Sequence, residues 1–180
     1  MVATHLSAAM GSLAWMACEW KKYGKPSVLG IVTGMVAGLG TITPASGSVS
    51  PAAAMVIGLL AGFVCFNATL FIKQKLKIDD SLDVFPVHGV GGMLGTFLVG
   101  IFCASDLGAF SGYGFGGDNN SIGEQLSAQG IGIVSTIVYT AIATWVILKL
   151  VDAITGLRVD SDDEAMGLDL ALHEEKGYDL

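Results

Sequence analysis

Five apolar runs restrict this chain more than any single motif does: residues 3–20, 27–43, 51–72, 84–104 and 128–151. Each approaches the roughly 20 residues a helix needs to cross the hydrocarbon core of a bilayer. The shorter ones require local thinning or help from neighbours. Backbone in lipid must satisfy its own hydrogen bonds, so each run is read as a helix. The runs are continuous rather than alternating, which argues against a β-barrel. The expected fold class is therefore all-α: a polytopic helical membrane protein with five transmembrane helices. The helices occupy a domain over 1–155, and a tail follows over 156–180.

Composition closes the main alternatives. Charged residues make up 14% of the chain, against about 25% in ordinary soluble domains, and mean hydropathy is +0.65. A soluble enzyme of this size has too much surface to cover with so few charges. Disorder is excluded by the same apolarity, and 25 glycines without a three-residue period exclude a collagen-like chain. The net charge of −7 belongs mostly to one segment. From Gly156 onward there are 8 acids and 2 bases, whereas the preceding residues hold 8 acids and 7 bases. No basic surface for nucleic acid is present. Cys18, Cys65 and Cys103 are solitary and lie in apolar runs. Their number and spacing fit neither a disulfide framework nor a metal site, so they read as small apolar side chains. No cofactor and no metal is expected.

The connections set an orientation. The first loop carries Lys21, Lys22 and Lys25, the third Lys73, Lys75 and Lys77, and the tail region Lys149, Arg158 and Lys176. The second loop has no charge, and the fourth has Asp106, Asp118 and Glu124 but no base. All nine bases thus fall on one side, which the positive-inside rule makes cytoplasmic. The N-terminus is expected outside and the tail inside. Met1 opens directly on a span with no basic segment before it, so it does not begin a signal peptide. The chain reads as the later part of a longer protein.

Small residues four apart recur: Gly30, Gly34 and Gly38; Gly58 and Gly62; Gly91 and Gly95, with Gly92 and Gly100 beside them. Such stripes let helices approach closely, which speaks to packing and not to an activity. The stretch Thr43–Pro51 is a turn by composition. Residues 112–120 have a glycine-rich look, but without a strand-to-helix unit they make no phosphate cradle.

The fourth run opens Asp79-Asp80-Ser81-Leu82-Asp83-Val84-Phe85-Pro86-Val87-His88-Gly89-Val90-Gly91-Gly92. Asp83 suits an N-cap, and Pro86 is tolerated in a first turn, where no intrahelical donor is needed. Acids at that end complement the helix dipole. His88 lies one to two turns inside the run. Four-residue spacing aligns it with Val84 and Gly92, and three-residue spacing brings in Gly91 and then Gly95. An ionisable residue at membrane depth is a functional candidate. The alternative is a structural histidine bonded to a neighbouring carbonyl, and periodicity leaves both open. His5, at the outer mouth of the first run, reads as an interfacial polar residue, and Glu19, beside Trp20 and Lys21, as an interfacial anchor with a loop contact. An intramembrane enzyme using His88 and Asp83 is a poor reading. The two are five apart, and no nucleophile motif accompanies them.

The segment Asp83 to Gly92 resembles the tenth-span signature of ammonium transporters, the Amt branch of the Amt/Mep/Rh superfamily. Further stretches fit in order: Trp15 to Trp20 with Glu19, Gly24-Lys25-Pro26, Gly34 to Gly38, Ile42-Thr43-Pro44-Ala45 with Gly47, and Lys77-Ile78-Asp79-Asp80. The tail adds Gly156-Leu157-Arg158, Gly167-Leu168-Asp169 and His173 through Tyr178. The resemblance covers essentially the whole chain.

This resemblance implies spans seven to eleven of an eleven-span protein, half of an inverted-repeat ammonium transporter fold. It implies a homotrimer in the cell membrane, with ammonium or ammonia as cargo and one pore per subunit. His88 matches the second of the family's twin histidines, and Val84 falls on the same pore wall. Asp83, Pro86, Gly91, Gly92 and Gly95 take capping or packing roles. Arg158, Asp169, His173 and Tyr178 belong to a regulatory cytoplasmic tail, where a PII-type nitrogen signalling protein docks in the family. One departure stands out: the family often has His-Gly-Glu where this chain has His173-Glu174-Glu175, which puts a glycine-dependent turn in question. An ammonium sensor or an Rh-type gas channel on the same fold are the rival readings.

Overall fold

The computed structural model describes residues 1–178, and among them every regular element is helical. The last two residues of the expected tail, 179 and 180, lie outside the described residues. Local chemistry accounts for most element boundaries. Helix α1, Val2–Tyr23, carries Lys21 and Lys22 in its last turn and stops at Gly24, whose φ of 79° forms a left-handed cap. Ser27 opens α2, Val28–Ile42, by accepting from the Gly30 amide at 2.9 Å. Ser50 does the same for α3, Pro51–Leu70, accepting from Ala53, and Pro51 sits in the first turn.

Two π-helical turns flank the next connection. One, Phe71–Lys75, extends α3, and the other, Phe85–Val90, leads into α4, Gly91–Phe102. A single 3-10 turn, Gly108–Phe110, follows. Helix α5 runs Ile122–Thr155, starting six residues before the apolar run that marked it in the sequence. Side-chain capping accounts for the early start. Ser121 Oγ accepts from the Glu124 amide at 3.3 Å, and Glu124 Oε2 accepts from the Asn120 amide at 2.7 Å. Short helices α6, Ser161–Met166, and α7, Leu168–His173, complete the described chain.

The chain divides into two compact units, Met1–Val134 and Ser135–Leu180, with the boundary inside α5. In the first unit α1 lies against both α2 and α3, and α4 packs on α2 and α3. The glycine stripes converge on two residues of α1. A Cβ at Gly38 or Gly58 would run into the Ser7 carbonyl, and one at Gly34 or Gly62 into Gly11 or its neighbours. Backbones therefore meet almost directly, which is what small residues permit in lipid, where apolar burial alone gives no drive to associate. Ser7 Oγ completes the crossing by donating to the Gly38 carbonyl at 2.9 Å.

Two apolar clusters stack along this bundle. One gathers Ile42, Ala53, Ile57, Leu98 and Val99, and the other Trp15, Ala37, Cys65, Phe66 and Val87. Cys65 and Cys103 are buried and Cys18 half-buried. The glycine-rich stretch is a pinned connector: Gly112 and Gly114 amides donate to Ala104 and Cys103 carbonyls at 2.7 Å, and Tyr113 to Ser48 at 3.1 Å.

Among the described residues, three helices are long and apolar enough to cross a membrane: Pro51–Lys75, Phe85–Phe102 and Ile122–Thr155. The apolar α2 has 15 residues. Helix α1 has 22, among them His5, Glu19, Lys21 and Lys22, which lower its hydropathy. In the second unit the side chains of α5 are almost all exposed. Arg158 Nη2 grips both Glu164 carboxylate oxygens, at 2.8 and 2.9 Å, across the turn between α5 and α6.

Candidate pore wall at the fourth helix

The helix that carries His88 is opened by Asp80. Its carboxylate accepts from the Val84 amide at 2.9 Å and the Phe85 amide at 2.8 Å. This corrects the expectation that the Asp83 side chain is the cap. Asp83 adopts a left-handed φ of 56°, which turns its carboxylate to Lys73, 2.6 Å away. Only its backbone carbonyl serves the helix, accepting from Val87 at 3.1 Å. Pro86 is buried in the first turn, where its missing donor costs nothing.

His88 lies in the π-helical turn, a local widening that recurs at functional positions in helices. The imidazole is exposed, and it makes no hydrogen bond to any described residue. Val84, one turn earlier, is 52% exposed, and the Phe85 ring, also exposed, lies over Gly89.

The glycines after His88 separate onto two faces, and the expected single stripe beneath the imidazole is corrected accordingly. A Cβ at Gly91 would meet Thr41 Oγ1 and Cys65 Sγ, and one at Gly95 the Thr41 carbonyl and Pro44. Both are packing residues against the bundle. A Cβ at Gly92 would meet nothing within 4 Å. Val84, His88 and Gly92, spaced by four, therefore form an open strip, while Gly91 and Gly95 form the closed one. On the facing helix, Gly40 of α2 lies beside the imidazole. A Cβ there would lie 3.9 Å from His88 Nδ1 and 3.7 Å from the Val87 carbonyl.

Glu19 does more than anchor an interface. It accepts from the Ser27 amide at 2.7 Å and from Ser27 Oγ, and the Trp15 indole approaches it at 3.4 Å. One carboxylate thereby fixes the residue that caps α2. A cavity of about 250 Å³ opens beside it, with Trp15, Glu19, Thr33, Thr69 and Asp83 among its walls. Trp15 is held edge-on to Phe66, ring centroids 5.4 Å apart. Thr69 Oγ1 is buried there without a hydrogen-bond partner. Sequence reasoning singled out neither Thr33, Thr69 nor Gly40. A hydroxyl inside an apolar run was the available signal for the threonines, whereas Gly40 falls outside the four-residue stripes. His5 stays at the start of α1, its ring nitrogen 3.2 Å from the Met1 carbonyl.

The tail residues occupy a separate unit. Arg158 is paired within its own chain to Glu164. Asp169 opens α7 and His173 closes it, and Tyr178 is exposed. The turn in question is kept despite the missing glycine: Glu174 takes a left-handed φ of 54°, its amide donating to Leu170 at 3.2 Å and that of Glu175 to Asp169 at 3.0 Å.

The model of the Ammonium Transporter Family matches residues 1–178. The chain is 45% identical over 178 residues to the ammonium transporter Amt1 of Archaeoglobus fulgidus, covering 99% of this chain and 44% of that one. It is 40% identical over 176 residues to the ammonium transporter of Bacillus subtilis, covering 97% and 43%. Among solved structures, Saccharomyces cerevisiae Mep2 aligns with a TM-score of 0.75 and 38% identity, covering 89% of this chain and 37% of that one. A structure described as a sensor Amt protein aligns with a TM-score of 0.84 and 29% identity, covering 95% and 40%. The chain thus spans less than half the length of these relatives.

Proposed function

Because the chain belongs to the Ammonium Transporter Family, we propose that it forms one wall of a membrane pore that passes ammonium as ammonia, with His88 at the narrow apolar stretch. The observation that carries this reading is the imidazole itself, exposed, without a hydrogen-bond partner and next to the uncovered Val84 on an otherwise apolar helix. A structural histidine would be satisfied within the bundle, since leaving a polar group unpaired away from water is costly. One left open has its capacity free for a ligand.

The physical problem is desolvation. Carrying a bare cation across hydrocarbon costs several kcal/mol or more. Neutral ammonia costs far less. A neutral imidazole has one donor and one acceptor nitrogen. His88 therefore hydrogen-bonds the neutral species while its proton travels separately, and a second histidine on the opposite wall completes the relay. The relatives are more than twice as long as this chain, and the opposite wall belongs to the part of such proteins that it does not match. The tail lies on the cytoplasmic side with the nine bases, subunits form a trimer, and a PII-type protein docks against the tail.

The test is uptake of ammonium by the complete protein carrying His88→Ala. Flux or ion selectivity should change. If both stay as in the parent, His88 has no part in conduction. A sensor on the same fold is the second reading, supported by the TM-score of 0.84 to the sensor Amt protein. Ligand binding without flux in the parent would favour it.

A further inference from the structure

We infer that Gly40 is a specificity-determining position of this conduit, its missing side chain leaving the space beside His88 Nδ1 that sets how large an amine passes. The inference rests on the His88 reading above. Leu29, Thr33, Val36 and Gly40 are spaced by four, three and four, so they share one face of α2. Leu29 and Thr33 line the cavity that Asp83 also lines, and Val36 packs against the cluster containing Val87. The same face then reaches His88 at Gly40. The stripe carries a side chain at every step except the one next to the imidazole.

Packing does not explain that glycine. At Gly34 and Gly38 a Cβ would collide with the backbone or Cβ atoms of α1, so those positions demand glycine, and at Gly30 it would displace the Glu19 carboxylate. At Gly40 the nearest atoms are the Val87 carbonyl and His88 Nδ1, at 3.7 and 3.9 Å, which is ordinary contact distance. The backbone there is regular helix, where glycine is disfavoured relative to alanine. The structure thus holds a glycine that neither packing nor backbone conformation needs, at a point of α2 that borders the exposed imidazole. A side chain there would narrow the space around any molecule bonded to Nδ1. The discrimination at stake is between ammonia and its smallest alkyl derivative, methylamine, each entering as its ammonium ion. One carbon in a confined apolar site changes selectivity by roughly 10- to 200-fold.

The experiment compares uptake of ammonium and of methylammonium by the complete protein, for the parent, Gly40→Ala, Gly40→Val and His88→Ala, each normalised to its amount in the membrane. The ratio of methylammonium to ammonium uptake should fall about tenfold or more in Gly40→Val and by a smaller step, in the same direction, in Gly40→Ala. If the valine variant fails to reach the membrane, the alanine ratio decides, because the spacing accommodates one methyl. A ratio equal to the parent's in the accumulating Gly40 variants, with uptake still altered by His88→Ala, overturns the role of Gly40 and leaves the pore reading standing. Uptake and ratio indifferent to His88→Ala overturn the pore reading, and this inference with it.

Discussion

Lys73 Nζ lies 2.6 Å from Asp83 Oδ1, and this pair ties the π-helical turn that ends α3 to the residue from which the His88 helix departs. The carboxylate end is the better buried, at 19% side-chain exposure against 37% for the lysine. Screening at the lysine keeps the pair weak, while burial raises the penalty for stranding the acid. In a double-mutant cycle on the complete protein, Lys73→Met, Asp83→Asn and the double variant should give a coupling energy of about 0.5–1 kcal/mol in thermal unfolding. Strictly additive losses would mean that the two charges stabilise nothing together.

Asp80 holds two backbone amides that no intrahelical carbonyl can reach. Asp80→Ala should therefore destabilise the start of the helix by about 1–2 kcal/mol. Hydrogen exchange at the amides of Val84 and Phe85 should accelerate, while exchange within α2 stays as before. Equal protection at both amides in the alanine variant would show that the carboxylate is not their cap.

Gly92 and Gly95 stand three residues apart and differ in what an added methyl would meet. At Gly95 it would meet the Thr41 carbonyl, and at Gly92 open space. Gly95→Ala should lower the unfolding temperature of the solubilised protein, at a cost of about 1–3 kcal/mol from overpacking. Gly92→Ala should leave it within about 0.5 kcal/mol of the parent. Similar losses for the two variants would contradict the division of the helix into an open and a closed face.

Features fixed by local chemistry could be read in advance. Ser27 and Ser50 announce α2 and α3, Gly24 ends α1, and the glycines four apart do mark the helix crossings at Ser7 and Gly11. The cap at Ser121 is equally local, but it lies outside the apolar run 128–151, and hydropathy alone does not show it. Two other features depend on tertiary placement. Asp80 and Asp83 both precede the same helix, yet Asp80 caps it while Asp83 pairs with Lys73, ten residues from it in sequence. The split between Gly92 and its neighbours follows from where α2 and α3 lie and from the π-helical turn, neither of which a residue spacing encodes. His88 itself was legible as an oddity, an ionisable group in an apolar run. Its freedom from internal hydrogen bonds could be seen only once the bundle was built.

Glu174 closes α7 in a left-handed conformation that side chains other than glycine, asparagine and aspartate rarely adopt. The strain amounts to roughly 1–2 kcal/mol for one such residue. Replacing it with glycine removes the clash between Cβ and the following carbonyl while keeping the amide bonds to Leu170 and Asp169. Glu174→Gly should therefore stabilise the turn by about 1 kcal/mol, less the extra entropy that glycine loses on ordering. Hydrogen exchange over 168–175 should slow by roughly two- to threefold, since 1.4 kcal/mol corresponds to tenfold and the net gain is about half a kcal/mol. The partner substitution Glu174→Val, β-branched and poorly suited to positive φ, should speed the same exchange. Slower exchange in the valine variant than in the glycine variant would show that the turn is not left-handed in solution.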